Sequence, residues 1–320
     1  MRTLEAETLL RDLVSIYSPT GGTDEAISFL EEWCRQRGMA TSFENEALVV
    51  NPDAEDLMFM GHVDTVPGML PVTMEAGVLT GRGSVDAKGP MCAALVALSQ
   101  MPEMHDRVSL VAVVDEEGPS NAARHIRDTW EPRPCIVLEP SGWDGITVSY
   151  NGRLLMEVDV RVPASHSGHD TPFSAEEAFN IWQGLQGHER ARIISIEGDA
   201  GRTRMVVDMR YGDQPPAFPD SDVATFSILE EVPPYRSDKN TSLVRALLRS
   251  IREVGGSPTF KRKSGTADMN ILGDSWTLPI VAYGPGDGIL DHTDGERIDV
   301  GDYLRSIEII RLAIRDILSS

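Results

Sequence analysis

The chain has 320 residues, 41% of them hydrophobic and 25% charged, which is typical of a globular protein of one or two domains. No apolar run is long enough to cross a bilayer, and a net charge of −21 argues against nucleic acid or an anionic membrane as a partner. Residues 1–6 lead directly into an amphipathic helix, and the three cysteines lack metal-type spacing. We therefore expect a cytoplasmic protein with free thiols.

The first part of the chain alternates helix and strand patterns. Apolar residues at helical spacing predict helices over 4–17, 24–37, 90–101 and 120–129, the last with Ser120 as its cap. Short apolar runs predict buried strands over 57–60, 108–114 and 135–138. This βαβ rhythm indicates an α/β fold with a largely parallel sheet.

The middle of the chain has a different pattern. Alternating apolar and polar residues predict strands over 154–162, 192–196, 205–209 and 224–229, with a helix over 175–185 and a proline-rich loop over 211–221. Helix, strand and helix then follow over 241–254, 280–283 and 300–318. We predict an α/β domain formed by 1–148 and 237–320, interrupted by a small α+β domain over 149–236.

Acidic and histidine side chains follow the three buried strands at the point where each strand ends. His62 and Asp64 follow the first strand, Glu116 and Glu117 the second, and Glu139 the third. In open α/β sheets the carboxyl ends of the strands meet at one edge, where ligands bind. Carboxylates at buried strand ends are costly unless they coordinate something.

Two glycine-rich loops add further candidate ligands. Asp86 lies in the loop 81–86, and His292 follows the glycine-rich stretch 284–288. Nitrogen and carboxylate ligands without thiolate favour zinc, cobalt or manganese over calcium. Five such ligands with one shared carboxylate predict a two-metal site. The five are His62, Asp86, Glu117, Glu139 and His292.

These residues, in this order, resemble the zinc-dependent family of acetylornithine deacetylase, succinyl-diaminopimelate desuccinylase, aminoacylase and glutamate carboxypeptidase. The resemblance covers most of the chain. It implies two Zn²⁺ ions per subunit, for which Co²⁺ can substitute. It assigns His62, Asp86 and Glu139 to one ion, and Asp86, Glu117 and His292 to the other.

The same resemblance implies roles for the neighbouring carboxylates. Asp64 is similar to the residue that orients the ligand histidine. Glu116 is similar to the general base, which takes a proton from the attacking water. Glu at position 139, rather than Asp, goes with deacylases and carboxypeptidases and against di- and tripeptidases.

One branch of the family matches more closely. The stretches GHVDTVPGMLPV, GRGSVDAKGP, LEPSGWDGITVSYNGRLL, KSGTADMNIL and PIVAYGPGDGILDHT resemble the hydrolase that releases lysine or ornithine from the C-terminal glutamate of an acidic amino-group carrier protein, in lysine and arginine biosynthesis. The alternative is a small-molecule deacylase, such as acetylornithine deacetylase, or a glutamate-carboxypeptidase-like enzyme. A non-catalytic protein on this fold is disfavoured because no ligand is lost.

The resemblance makes 1–148 and 237–320 the catalytic domain and 149–236 a lid and dimerisation domain, and it implies candidates for substrate binding. His166 resembles the lid histidine that stabilises the oxyanion across a homodimer formed through the lid, and His169 is the less favoured alternative. Arg153 and Arg210 match positions that grip a substrate carboxylate, although a surface ion pair would explain them too. Gly265 and Thr266 resemble the loop that receives the substrate carboxylate.

Three features depart from the family pattern. The stretch 198–204 lacks the asparagine that many relatives use to contact substrate, and the loop 211–221 replaces a second lid helix. An acidic enzyme must also concentrate cations locally to receive an acidic carrier. We expect those cations to be Arg153, Arg202, Arg204, Arg210 and Lys263.

Overall fold

The computed structural model describes residues 2–164, 166, 172–185 and 190–319. Its helices are α1 (Arg2–Ser15), α2 (Asp24–Arg35), α3 (Lys88–Ser99), α4 (Asn121–Thr129), α5 (Ser174–Leu185), α6 (Ser242–Glu253), α7 (Asp268–Gly273) and α8 (Val300–Leu318). Its strands are β1 (Thr41–Glu44), β2 (Ala47–Val50), β3 (Leu57–His62), β4 (Thr73–Glu75), β5 (Val78–Thr80), β6 (Val108–Val113), β7 (Cys135–Val137), β8 (Gly145–Tyr150), β9 (Gly152–Arg161), β10 (Ala191–Gly198), β11 (Arg202–Tyr211), β12 (Ala224–Val232), β13 (Tyr235–Arg236), β14 (Thr259–Lys263), β15 (Ile280–Ala282) and β16 (Arg297–Asp299).

The chain divides into two compact units. Unit 1 contains 1–148, 237–262 and 271–320, and unit 2 contains Ser149–Arg236 and Lys263–Asn270. The return of 263–270 to unit 2 was not predicted from the sequence. Among the described residues, no helix combines the length and the apolar character that crossing a membrane requires.

A mixed sheet forms the centre of unit 1, in the order β1-β2-β6-β3-β7-β15-β8. Neighbouring strands from β6 to β15 are parallel, whereas β1, β2 and β8 pair antiparallel, and β14 also pairs with β8. Every residue of β3 and β6 is buried. This burial on both faces explains their continuous apolar runs, and it confirms the predicted α/β class.

Helix α3 is buried along its length, from Lys88 to Leu98. It packs against α1, α8 and the strands β3 and β6. A helix that is apolar on all sides belongs in the interior, and its glycine and alanine residues allow the neighbouring elements to approach closely. The loop before α3 is therefore attached at its end to a helix that is fixed in the core.

A small three-stranded sheet, in the order β16-β5-β4, also belongs to unit 1. Arg297 pairs with Thr80 and Asp299 with Val78 in its antiparallel register. This pairing places the chain just before Arg297 beside the chain just after Thr80. Two distant glycine-rich loops, 81–86 and 284–296, thereby become neighbours.

Unit 2 contains the antiparallel sheet β10-β11-β9-β12. Alternate residues of β9 and β11 are buried, and α5 packs on that face of the sheet. The loop predicted over 211–221 corresponds to residues 212–223, which form neither helix nor strand.

The bounds of the predicted elements differ from the observed ones by no more than about three residues. Ser120 was predicted to cap α4, but its side chain makes no capping hydrogen bond. Asp115 caps α4 instead. Its carboxylate accepts the N–H groups of Asn121 at 2.6 Å and Ala122 at 3.3 Å. Several strands were missed, namely β1, β2, β4, β5, β8, β13, β14 and β16, together with the short helix α7.

Candidate metal centre

The parallel strands of unit 1 deliver their acidic and histidine side chains to one edge. His62 is the last residue of β3 and lies in register with Val113, the last residue of β6. Glu116 and Glu117 follow β6, and Glu139 follows β7 by two residues. The side chains of successive loops therefore meet because the strands end together.

Two groups of donor side chains share one carboxylate at this edge. The first group is His62, Asp86 and Glu139, and the second is Asp86, Glu117 and His292. Within each group one donor atom of every residue lies within 4.8 Å of the others. Asp86 Oδ1 lies 3.2 Å from His62 Nε2, and Asp86 Oδ2 lies 3.1 Å from His292 Nε2.

The carboxylates around the two imidazoles raise the pKa of both side chains. Hydrogen bonds to Asp86 and Glu117 raise the pKa of His292 to about 10. Burial alone lowers the pKa of His62, but its hydrogen bonds to Asp64 and Asp86 overcome that effect and raise the pKa well above its usual value. Carboxylates that hold protons on both imidazoles in this way suit a divalent cation at each group.

Asp64 is fully buried and connects two of the ligand loops. Its carboxylate accepts the N–H of Glu116 at 3.2 Å, the N–H of Glu117 at 3.1 Å and the Thr20 hydroxyl at 2.7 Å. It also lies 3.4 Å from His62 Nδ1, which donates to the Asp64 carbonyl at 2.8 Å. Although burial raises the pKa of Asp64, the bonds from His62 and its other partners hold that pKa below the usual range.

Glu116 is partly exposed and precedes Glu117 in the loop after β6. Its backbone is held by the bond to Asp64, and the Ser120 hydroxyl lies 3.4 Å from its carbonyl oxygen. A carboxylate beside a metal ligand, with access to solvent, is suited to exchange protons with water.

Unit 2 brings two of the predicted substrate residues together. Arg210 Nη1 donates to Thr266 Oγ1 at 3.0 Å. Arg153 lies opposite Arg210 in the β9–β11 register and donates to Asp208 at 2.9 Å and Glu230 at 3.0 Å. An alanine side chain placed at Gly265 would meet no atom within 4 Å, so the loop there is open.

Of the two histidines predicted in the lid, His166 and His169, the structure describes the first. His166 is exposed and follows β9. His169, the alternative to it, lies outside the described residues. Trp143, four residues after Glu139, packs against the core of unit 1, and the Arg305 guanidinium lies 4.9 Å from its ring centroid.

Two residues beside the centre were not predicted from the sequence. Arg82 and Glu296 are buried and form an ion pair at 3.0 Å. In the sequence both look like surface charges of an acidic protein, and only the position of Glu296, four residues after His292, links it to a ligand loop.

The fold and the two groups that share Asp86 define a metal-dependent hydrolase. The chain belongs to peptidase family M20/M25/M40, whose family model matches residues 58–316.

The comparisons with individual proteins cover nearly the whole chain. A Pyrococcus abyssi protein, provisionally named LysW-lysine/LysW-ornithine hydrolase, is 39% identical over 94% of this chain and 91% of its own length. The LysW-lysine hydrolase of Deinococcus radiodurans is 33% identical over 97% of this chain and 96% of its own. The LysW-lysine/LysW-ornithine hydrolase of Sulfurisphaera tokodaii is 30% identical over 94% of each chain.

Solved structures share the fold at lower identity. The aminopeptidase PepT of Bacillus cereus has a TM-score of 0.78 and 15% identity, over 99% of both chains. The YXEP protein of Bacillus subtilis, described as a dinuclear metal-binding peptidase of the M20 family, has a TM-score of 0.74 and 11% identity, over 98% of both chains.

Proposed function

We propose that this chain hydrolyses the amide that joins lysine or ornithine to the C-terminal glutamate side chain of the carrier protein LysW. Relatives that are 30–39% identical over nearly the whole chain carry this activity in their names. The observation that carries the proposal is that Asp86 belongs to both groups of donor side chains. A shared carboxylate is what a two-metal hydrolase requires.

We assign one Zn²⁺ to His62, Asp86 and Glu139 and a second Zn²⁺ to Asp86, Glu117 and His292, with Co²⁺ as a substitute. The donor set supports zinc because it contains imidazole and carboxylate but no thiolate. When bound, the two ions would act as Lewis acids on the amide carbonyl and acidify the attacking water.

The protein's own residues then hold and move the protons. Glu116 accepts a proton from the water and returns it to the α-amine of the departing lysine or ornithine. Asp64 acts through position, since it holds the backbone N–H groups of both Glu116 and Glu117. Its interaction with His62 Nδ1 also fixes which imidazole nitrogen faces the metal.

The substrate contacts are proposed from unit 2 and its loop. We assign the α-carboxylate of the released amino acid to Arg210, with the N–H groups of Gly265 and Thr266 as further donors. The Arg210–Thr266 hydrogen bond supports this assignment because it keeps the guanidinium beside the loop. Arg153 supports the arrangement through Asp208, which both arginines approach. His166 is proposed as the donor to the oxyanion.

An acidic carrier protein requires a basic surface on the enzyme at which it can dock. Three of the arginines expected to receive it are engaged in ion pairs: Arg153 with Asp208, Arg202 with Asp159, and Arg210 with Asp208.

We call Lys239, Lys261 and Arg262 the basic strip: they are exposed residues of unit 1, and none has a carboxylate within 4.0 Å among the described residues. The Lys261 ammonium lies over Gly142, three residues after Glu139. We propose that the carrier docks on the basic strip.

We also propose a homodimer formed through unit 2. Both edge strands of its sheet expose apolar side chains, with Ile194 and Ile196 on β10 and Ile228 and Leu229 on β12. Exposed apolar edge strands favour pairing with another chain. Analytical ultracentrifugation should therefore give twice the chain mass.

A cytoplasmic location is proposed as well, supported by three cysteines that are free and buried.

The activity is tested by incubating the zinc-loaded protein with LysW-lysine, LysW-ornithine and free acetylornithine and measuring the released amino acid. We expect turnover of at least one carrier substrate and little of acetylornithine. Efficient turnover of acetylornithine alone would instead assign the chain to the small-molecule deacylases.

A further inference from the structure

A buried ion pair joins the two loops that carry Asp86 and His292. Arg82 and Glu296 are 6% and 1% exposed, and Arg82 Nη1 lies 3.0 Å from Glu296 Oε2. Neither residue belongs to the two groups of donor side chains.

Glu296 holds the backbone of the shared ligand. Its Oε1 accepts the N–H of Val85 at 3.0 Å and the N–H of Asp86 at 3.2 Å. One carboxylate oxygen therefore fixes two consecutive peptide groups, and hydrogen bonds to a charged acceptor are stronger than neutral ones. The position of the Asp86 side chain follows from that of its backbone.

Arg82 extends the connection to the loop of His292. Its Nη1 also donates to the carbonyl of Thr293 at 3.0 Å, and its Nε donates to the carbonyl of Gly68 at 3.0 Å. Thr293 directly follows His292. The N–H of Gly81 donates back to the Glu296 carbonyl at 3.3 Å, so the two loops are joined by both side chains and backbone.

His292 requires such support because its backbone is unusual. Its φ is +61°, in the left-handed region that residues other than glycine adopt only when their surroundings hold them there. Its side chain must nevertheless reach both Asp86 and Glu117.

A buried ion pair contributes little net stability, because removing two charges from water offsets most of their attraction. The other hydrogen bonds of Arg82 and Glu296 described above all end on backbone groups of the site's loops. We propose that Glu296 and Arg82 are positioning residues, which set the spacing between Asp86 and His292 and thereby the affinity of the group Asp86, Glu117 and His292 for its cation. This inference rests on the proposed metal binding, but not on the identity of the substrate.

The test compares Glu296→Gln with wild type. The amide keeps the shape and one oxygen acceptor, but it places an NH₂ group or a neutral oxygen opposite Arg82. Zn²⁺ affinity is measured by titration against a competing chelator with metal analysis of the protein. We expect at least one of the two Zn²⁺ equivalents to lose about 10- to 100-fold in affinity, as for other residues that orient ligands. In the zinc-loaded enzyme, kcat should fall while KM stays near wild type.

Arg82→Met is the second variant, and Arg133→Met is its matched control. Arg133 is also a buried arginine, 8% exposed, and donates to the carbonyl of Ala54 at 2.8 Å, away from the ligand loops. Both variants should lower the stability of the metal-free protein. Only Arg82→Met should weaken Zn²⁺ binding.

A purely structural role would give a different result. Both Zn²⁺ equivalents would then keep wild-type affinity in Glu296→Gln and Arg82→Met, and that outcome would overturn the proposal. Should these variants not fold, Arg82→Lys retains the charge but lacks the planar fork that reaches two carbonyls. Unchanged Zn²⁺ affinity in Arg82→Lys would also overturn the proposal. If wild type binds two Zn²⁺ but leaves LysW substrates intact, the proposed function fails and this inference stands.

Discussion

His292 Nε2 lies 2.8 Å from Glu117 Oε1, although the two residues are 175 positions apart in the sequence. The same nitrogen lies 3.1 Å from Asp86 Oδ2. An imidazole so close to two carboxylates retains its proton when no cation neutralises them. The contact between His292 and Glu117 therefore makes metal binding depend on pH.

We expect the metal-free protein to lose stability as the pH rises from about 7 to 10. The folded-state pKa of His292 is raised to about 10, above an unfolded value of about 6.5. A raised folded pKa contributes stability that is fully present below the unfolded pKa and lost as the pH rises through the folded pKa. Thermal unfolding of chelator-treated protein across this range measures the effect.

His292→Ala should show a weaker pH dependence over the same range, whereas His125→Asn, a change on α4, should behave as wild type. Identical slopes for His292→Ala and wild type would show that another group is responsible.

Glu116→Gln should reduce kcat by about 100- to 10,000-fold, because the amide cannot accept the proton of the attacking water. Zn²⁺ content should remain at the wild-type value, since Glu116 belongs to neither group of donor side chains. Steady-state kinetics and metal analysis on the same preparation provide the measurement. Glu253→Gln, at the end of α6, serves as control. Substantial turnover by Glu116→Gln would show that Glu116 is not the general base.

Asp64→Asn should lower both the stability and the metal affinity. The asparagine has one acceptor oxygen for the two N–H groups of Glu116 and Glu117, so a buried donor loses its partner at a cost of about 1–3 kcal/mol. The loss of the negative charge near His62 should weaken Zn²⁺ binding by about 10- to 100-fold. Urea unfolding and chelator competition measure the two effects, and wild-type values in both would contradict the orienting role.

Gly89→Ala should destabilise the metal-free protein by about 3 kcal/mol. The added Cβ would lie 2.3 Å from the carbonyl oxygen of Ser84 and 2.8 Å from Ile298 Cδ1, so the loop before Asp86 would have to move. Gly38→Ala is the control, because no atom lies within 4 Å of its Cβ and only its positive φ adds a cost of about 1 kcal/mol. Equal losses in urea unfolding would contradict the argument.

Lys261→Glu should raise KM for LysW substrates by about tenfold at low ionic strength, and added salt should reduce the difference from wild type. Arg252→Glu changes the net charge equally on an exposed face of α6 and should leave KM unchanged. Lysines on an edge strand also discourage aggregation. If that is their only role here, Lys261→Glu will alter solubility and not KM.

The α/β class, the family and the bounds of most elements could be predicted from the sequence, because each depends on local patterns. Buried strands such as 57–62 are continuous apolar runs, and amphipathic helices such as α6 show their period directly. The strands that were missed are short and depend on pairing with distant partners, as β5 does with β16. The domain boundaries and the roles of the site residues remain predictions.

The sequence alone determined which residue types stand at the ends of the buried strands, since strand period and chain order fix which side chains follow each strand. Only the tertiary structure decided the distances between them, because Asp86, Glu117 and His292 come from three separate loops. It also revealed the Arg82–Glu296 pair, whose charges look solvent-exposed in the sequence. Burial and long-range hydrogen bonds depend on how the loops pack, and a local pattern contains no record of that packing.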